Sequence, residues 1–269
     1  MEKATNSRQE TVRVDSVSKA LTVMECFTPQ RPEITLSELS RICHMPKSTL
    51  LNQMRTLEQA GYVRKNPHTQ AYRLGYKLMC LGYSVQAASP LMHYVIPVME
   101  ELREATGQTV YLTSHLDGKV FYLQCVYSRN RTQVYSVAGK MLPMHCTSAG
   151  KVMLSFMPEK QMQSIIERHG LPAATPNTIT DENRLREELE LTRQRGYGID
   201  NEEECVGIRC VAAPVLSSRG EVAGALSISG TVLSLKDDMI EHYAMLLSQA
   251  ASTLSQYADM FPALQYGAE

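Results

Sequence analysis

Residues 35–63 read TLSELSRICHMPKSTLLNQMRTLEQAGYV, and this stretch predicts two helices joined by a tight turn. Thr35 stands three residues before Glu38, which is the capping-box pattern with which a helix begins. Pro46 then suits the first turn of a second helix, because its fixed φ is compatible with that position. Gly61 is placed to end this second helix. The stretch therefore has the layout of a helix-turn-helix.

The segments on either side extend this motif. Apolar residues recur at helical spacing from Val17 to Phe27, which predicts a preceding helix. Downstream, residues 62–65 and 71–74 flank the turn-forming sequence Asn66-Pro67-His68, which predicts a two-stranded hairpin. Three helices followed by a hairpin make a winged helix-turn-helix, which we predict over residues 13–75.

The second helix of such a motif lies in the major groove of DNA, where it must offer donors and acceptors to bases and phosphates. Here its first turns are rich in these groups, and the wing adds basic side chains. The residues that we predict to contact double-stranded operator DNA are Thr35, Lys47, Ser48, Thr49, Asn52, Gln53, Arg55, Arg64, Lys65 and Arg73. Such residues also occur on ordinary solvated faces, but the cap, the proline, the wing and the local charge all indicate one motif.

Length and charge divide the chain. Its 269 residues are typical of two domains. Residues 1–83 carry 12 Lys and Arg against 7 Asp and Glu, whereas the remainder carries 15 against 21. This asymmetry indicates that only the first part meets a polyanion. We predict a linker helix over residues 76–89 and a second domain over residues 90–260.

The second domain mixes helical and strand patterns. The predicted helices cover residues 91–105, 149–157, 181–195 and 235–257, and the predicted strands cover residues 109–127 with a break at Asp117-Gly118, 132–137, 209–215 and 221–229. Short turns between strands favour antiparallel pairing. The predicted fold class is therefore α+β with an antiparallel sheet.

Composition and spacing argue against several classes of protein. No apolar run approaches the ~20 residues of a membrane helix, and the first sixteen residues are polar, so we expect a cytoplasmic protein without a membrane partner. The seven cysteines are odd in number and never spaced C-x-x-C, which favours reduced thiols. We expect no metal and no cofactor. His145 and Cys146 are adjacent on an extended segment, so their side chains point apart and no catalytic pair is expected.

Seven short runs, in order, resemble the IclR (isocitrate lyase regulator) family of bacterial transcription factors. They are residues 45–49 (MPKST), 56–63 (TLEQAGYV), 72–75 (YRLG), 142–151 (LPMHCTSAGK), 196–203 (GYGIDNEE), 207–215 (GIRCVAAPV) and 224–230 (GALSISG). The resemblance covers about Arg13 to Tyr257. The chain departs from the family in the middle of the recognition helix. There Leu51, Asn52 and Gln53 stand where the family usually has an aromatic residue or His, then Arg, and then an apolar residue.

The resemblance implies a GAF or profilin-like effector-binding domain, assembled as a homodimer or homotetramer. It also implies a small organic acid as effector, from a range that includes glyoxylate, pyruvate, sugar acids and aromatic acids. The positions that match the family's pocket, together with the turn before the helix, are Val134, Ser148, Ala149, Gly150, Asp200, Ile208, Cys210, Ser227 and Ser229. Free backbone N–H groups where this helix begins suit a carboxylate.

Composition alone leaves alternatives open. Asp200 begins the acidic run Asp200-Asn201-Glu202-Glu203-Glu204, which on its own is typical of a solvated loop. Cys210 lies in an apolar strand, where a buried hydrophobic role is the default. We expect a DNA-binding transcriptional regulator that represses a catabolic operon and responds to a small organic acid. The alternatives are that the second domain serves only for oligomerisation, or is an enzyme acting on a small acid.

Overall fold

The computed structural model describes residues 14–129 and 138–258. The chain divides into two compact units, one through Ala88 and the other from Ser89. No helix in these described ranges is long and apolar enough to cross a membrane.

The first unit is a winged helix-turn-helix, as the sequence predicts. Its elements are α1 (Asp15–Glu25), α2 (Leu36–Ile42), α3 (Lys47–Gln59), the antiparallel strands β1 (Val63–Lys65) and β2 (Tyr72–Leu74), and α4 (Lys77–Ala87). The capping box is present, since the Thr35 side chain accepts from the Glu38 N–H while the Glu38 carboxylate accepts from the Thr35 N–H. Gly61, at φ +82°, follows α3 in a conformation that favours glycine.

A small apolar core holds these elements together. Val23 from α1, Leu39 from α2, and Leu50 and Met54 from α3 are all fully buried. Ile34, just before α2, exchanges two backbone hydrogen bonds with Tyr72 of the wing. This link, which the sequence pattern did not predict, ties the start of α2 to the hairpin.

The second unit is an α+β domain, also as predicted. Its elements are α5 (Leu91–Thr106), β3 (Thr109–Leu116), β4 (Lys119–Val126), β5 (Met141–Pro143), α6 (Ser148–Phe156), α7 (Glu159–His169), α8 (Glu182–Arg195), β6 (Gly198–Asn201), β7 (Ile208–Leu216), β8 (Val222–Thr231), a 3-10 turn (Asp237–Met239) and α9 (Ile240–Ser255). The described strands form one antiparallel sheet in the order β5-β4-β3-β8-β7-β6.

Helices cover both faces of this sheet. Residues from α5 and α9, such as Val95, Met99 and Leu247, pack on one face. Residues from α6 and α8, such as Val152 and Leu185, pack on the other, where α7 joins them. The second face carries the polar residues described below.

The structure departs from the predicted elements at a few places. Strands β5 and β6 were not predicted, because they are only three and four residues long. Helix α7 was also not predicted, although Pro158 before it and Gly170 after it are start and stop signals. The final helix begins at Ile240 rather than near residue 235, since the 3-10 turn intervenes. The predicted strand over residues 132–137 lies outside the described residues.

Candidate functional site

The first candidate surface is the exposed face of α3. Lys47, Ser48, Asn52 and Arg55 are exposed on it, whereas Thr49 and Gln53 are partly buried. The Oε1 atom of Gln53 is buried and has no hydrogen-bond partner within the described chain. A rotation of this amide would supply both a donor and an acceptor to a base edge. The helix therefore presents a mixed polar and basic face to solvent.

The wing places its cations beside aromatic rings. The Arg64 guanidinium lies 5.8 Å from the centre of the Tyr76 ring, and the Lys65 ammonium lies 5.5 Å from that of Tyr72. Arg73 is exposed and its Nη1 lies 3.9 Å from a carboxylate oxygen of Glu33. These contacts hold the three basic side chains along the hairpin.

Thr35 occupies a different position from the other residues of the predicted DNA-contacting set. Its hydroxyl accepts a hydrogen bond from the Glu38 N–H and donates one to the Glu38 carboxylate. The hydroxyl is therefore used both as donor and as acceptor within the capping box. These bonds, chiefly the one from the Thr35 backbone N–H, lower the pKa of Glu38. The structure thus gives Thr35 a helix-capping role, and its contact with DNA stays a prediction.

The second candidate site begins at the N-terminus of α6. The Thr147 hydroxyl caps the helix by accepting from the Gly150 N–H at 3.2 Å. No acceptor within the described residues takes the N–H groups of Ser148 or Ala149, both of which are buried. The N–H groups and the helix dipole at this end suit a carboxylate. Within the described residues, two of the expected N–H donors therefore have no acceptor, whereas the N–H of Gly150 has one.

Glycine lets this helix approach its neighbours closely. A Cβ on Gly150 would lie 2.2 Å from the Met144 carbonyl oxygen, and one on Gly198 would lie 2.6 Å from the Ser148 carbonyl oxygen. At Gly150 the helix packs closely against the segment that precedes it, and at Gly198 strand β6 packs closely against the helix. Gly150 therefore serves close packing, and its role in ligand binding stays a prediction.

The strand register gathers polar residues on the sheet face that α6 covers. Asp200 of β6 pairs with Cys210 of β7, and Cys210 pairs with Ser229 of β8. The Cys210 thiol donates to the Ser229 hydroxyl at 3.2 Å. Ser227 lies two residues from Ser229 and therefore on the same face, opposite Ala212. All four side chains, those of Asp200, Cys210, Ser227 and Ser229, thus share one face. The sequence spacing predicted this only for the two serines.

Asp200 is a buried acid rather than part of a solvated loop. Its residue is 2% exposed, and its Oδ1 accepts from the N–H of Glu203 at 2.8 Å and more weakly from that of Glu204. Burial raises the pKa of Asp200 to about 7, against the lowering effect of these bonds. Near neutral pH the carboxyl is therefore about half protonated and can donate as well as accept hydrogen bonds.

A buried ion pair lies beside this acid. Lys151 of α6, 1% exposed, donates to Glu203, and its Nζ also lies 3.7 Å from a carboxylate oxygen of Glu188 in α8. The second carboxylate oxygen of Glu203 is buried without a partner in the described residues. The pair links α6, the loop after β6 and α8, so any shift of α6 must disturb it.

The remaining predicted residues fall in different places. Ile208 is half-buried at the start of β7, and Val134 lies outside the described residues. Two residues that the sequence reasoning missed are Tyr111 and Tyr122, whose rings meet edge to face at 5.2 Å. Burial raises the pKa of Tyr122, with smaller effects from nearby Cys210 and Asp200. No local signal indicates Tyr111, because its position opposite Ser227 depends on the register of β3 against β8.

The thiols and histidine near this site are not arranged as a nucleophile and base. Burial raises the pKa of Cys146 to about 12 and also raises that of Cys210, so both stay protonated thiols. The His145 Nε2 is engaged with the Pro172 carbonyl oxygen at 3.0 Å. Among the described residues, no three His, Cys, Asp or Glu side chains are grouped as metal ligands. The arrangement suits reversible binding of a polar molecule.

Comparison with known families matches both units. Residues 84–256 match the family described as "Bacterial transcriptional regulator IclR C-terminal", and residues 16–67 match the "IclR helix-turn-helix domain". Among curated relatives, the regulator XynR of Escherichia coli K12 is 32% identical over 244 residues, covering 90% of this chain and 96% of that protein. KdgR of Dickeya chrysanthemi is 32% identical, with 90% and 79% covered. The transcriptional repressor IclR of Escherichia coli K12 is 29% identical, with 91% and 90% covered.

Solved structures agree on the fold. An IclR-type transcriptional regulator from Silicibacter sp. TM1040 superposes with a TM-score of 0.78 at 28% identity, covering 92% of this chain and 99% of that one. An IclR homologue from Microbacterium hydrocarbonoxydans, solved in complex with 4-hydroxybenzoate, superposes with a TM-score of 0.71 at 22% identity, covering 91% and 100%. At that identity the second likeness concerns the fold alone.

Proposed function

Because the chain belongs to the IclR family of bacterial transcriptional regulators, we propose that it represses a catabolic operon. A small organic acid then changes the affinity of this repressor for its operator. The observation that carries the proposal is the row Asp200, Cys210 and Ser229 on the sheet face that α6 covers, in which Asp200 is buried and the other two are partly buried. Its curated relatives are named as regulators, which argues against the enzyme alternative.

The DNA-contacting role rests on the face of α3. Asn52 and Gln53 have the amide groups that pair with adenine edges, and Lys47 and Arg55 supply charge for phosphates. Arg64, Lys65 and Arg73 of the wing would contact the neighbouring backbone. A regulator that reads chromosomal operators in a bacterium acts in the cytoplasm, and we place this chain there.

The effector role rests on complementary charge at the second site. The N–H groups of Ser148 and Ala149, which have no acceptor in the described part of the chain, suit one carboxylate of the ligand. Protonated Asp200, with Ser227 and Ser229, suits a hydroxyl or keto group next to that carboxylate. A neutral Asp200 also avoids the repulsion that an ionised one would exert on an anion, so the ligand binds best below about pH 7.

Dimerisation is supported by the surface of α4. No residue of this helix is buried, and Tyr76 beside it together with Met79, Tyr83 and Val85 is at least 70% exposed. Several large apolar side chains on one short segment favour burial against a second copy. Paired recognition helices also double the contacts to a two-fold symmetric operator. We propose homodimers, which pair into tetramers.

The DNA arm is tested by fluorescence anisotropy with labelled DNA from the region upstream of its gene. Replacing Arg55 by Ala should weaken binding and reduce the slope of log K against log salt concentration by about 1, because one phosphate contact is lost. Arg168→Ala, an exposed arginine on α7, is the matched control and should leave both quantities unchanged. Equal affinities for the two variants would contradict the proposed face.

The effector arm is tested by thermal shift with glyoxylate, pyruvate, sugar acids and aromatic acids, each paired with its amide. An acid that binds only the folded protein increases its free energy of unfolding, by about 2.7 kcal/mol at 100 times its Kd. The melting temperature should therefore rise with the concentration of the acid. Ser229→Ala and Asp200→Ala should abolish the rise, and the amides should give none. If no acid stabilises the wild-type protein, the second unit is left as an oligomerisation module.

A further inference from the structure

Two cysteine side chains of the first unit lie in direct contact. Cys26 follows the last residue of α1, and Cys43 follows the last residue of α2. Their Sγ atoms are 3.3 Å apart although the residues are seventeen positions apart in sequence. Cys26 also donates to the Thr22 carbonyl oxygen at 3.3 Å, which holds its side chain on the side that faces Cys43.

We propose that Cys26 and Cys43 are a modification site, at which a two-electron oxidant forms a reversible disulfide inside the DNA-binding unit. A disulfide has its sulfur atoms about 2.05 Å apart, so the pair must close by about 1.3 Å from the observed contact. Both residues cap helix ends rather than lie within helices, so small changes of side-chain torsion and backbone there bring the sulfurs together.

The oxidant that fits is a hydroperoxide, because Cys26 is only 9% exposed and Cys43 is half-buried. The more accessible Cys43 attacks as the thiolate on one peroxide oxygen, which gives a sulfenic acid and, with a proton, the first water. The Cys26 sulfur then attacks the Cys43 sulfur, forms the S–S bond and releases the second water. In sum, two thiols and one hydrogen peroxide give one disulfide and two waters, and a dithiol reductant reverses the product.

The surroundings set the rate of this reaction. Burial, and then the contact with Cys26, raises the pKa of Cys43 to about 11. The Arg31 guanidinium, which donates to the Cys26 carbonyl oxygen at 3.1 Å, acts in the opposite direction and favours the thiolate. A scarce thiolate makes the pair slow to react, so it responds to sustained oxidant rather than to a brief pulse.

The position of the pair gives the disulfide a structural consequence. Cys43 precedes the turn of His44, Met45 and Pro46 that leads into α3, and His44 has a φ of +52°. A bond from Cys26 to Cys43 therefore ties the end of α1 to the start of this turn. Closing the loop between them should raise the melting temperature of the first unit by at least about 5 °C.

The test uses the full chain in a Cys80→Ser, Cys205→Ser background, which removes the two exposed thiols and intermolecular linkage through them. The protein is treated with hydrogen peroxide, blocked with an alkylating reagent, digested without reductant and analysed by mass spectrometry. We expect a cross-linked peptide that contains Cys26 and Cys43 and is two hydrogens lighter than the two reduced peptides together. Treatment with dithiothreitol should make this cross-linked peptide disappear. Cys26→Ser and Cys43→Ser should each abolish it.

The proposal is overturned if Cys26 and Cys43 remain alkylated in separate peptides. It is also overturned if Cys43 goes on to the sulfinic acid while Cys26 stays a thiol, or if the linked protein melts no higher than the reduced one. Because the linked peptide is identified by mass alone, the result does not depend on whether the chain regulates transcription.

Discussion

Replacement of Asp200 by Asn tests whether a buried, protonatable acid lies in the second unit. Asn keeps an oxygen that can accept from the Glu203 and Glu204 N–H groups, but it cannot ionise. Because burial raises the pKa of Asp200 to about 7, the folded protein holds this proton more tightly than the unfolded chain does. The contribution of Asp200 to stability is therefore most favourable below about pH 4 and is lost as the pH rises to about 7.

The size of the effect follows from the two pKa values. In the unfolded chain Asp200 titrates near 3.8, and in the folded protein near 7. At about 1.4 kcal/mol for each pH unit between them, the free energy of unfolding falls by about 4 kcal/mol across this interval. The variant lacks this component, so the wild type loses about 4 kcal/mol relative to it between pH 4 and pH 8.

The assay is urea unfolding of both proteins from pH 4 to pH 8, followed by circular dichroism. Other titrating groups are common to both, so the difference between their free energies of unfolding isolates Asp200. Glu241→Gln, which removes an exposed carboxylate on α9, is the control for loss of one negative charge. A difference between wild type and Asp200→Asn that stays flat over this range would refute the buried, protonated acid.

Three further predictions concern the framework around the sites. Thr35→Ala removes the side-chain cap of α2 and should lower the stability of the first unit by about 1 kcal/mol, and an unchanged urea midpoint would contradict the capping role. Lys151→Met leaves Glu203 buried without its cation and should cost about 3–5 kcal/mol, most of which Glu203→Leu in the same chain should restore. Gly150→Ala places a Cβ 2.2 Å from a backbone oxygen and should prevent stable folding of the second unit, whereas Gly82→Ala, in an open part of α4, should stabilise the first by about 0.5–1 kcal/mol. Equal thermal shifts for these two glycine variants would contradict the close packing of α6.

The first unit was predictable because its signals are local. The capping box at Thr35, the proline that begins α3 and the glycine that ends it each fix one boundary within a few residues. The contact between Cys26 and Cys43 could not be found in the same way, because seventeen residues separate them and only the packing of α1 on α2 brings the sulfurs together.

The ligand site was only partly predictable. The serines at positions 227 and 229 share a face by strand alternation alone, but their meeting with Asp200 depends on the register of β6 against β7. Strand β6 itself is only four residues long and merges into an acidic run that reads as a solvated loop. The buried Lys151 was not predicted either, since a lysine is by default exposed and its partner Glu203 comes from a distant segment.

In a ligand-responsive regulator, as proposed for this chain, the acid and the operator DNA favour particular states of the same protein, so their affinities are coupled. The measurement that tests this coupling most directly is the Kd of the acid found by thermal shift, determined calorimetrically with and without saturating operator DNA. We predict that the two values differ, and that the acid changes the Kd for DNA by the same factor, because the coupling between two sites is reciprocal. Equal Kd values for the acid in the presence and absence of DNA would contradict a ligand-responsive regulator.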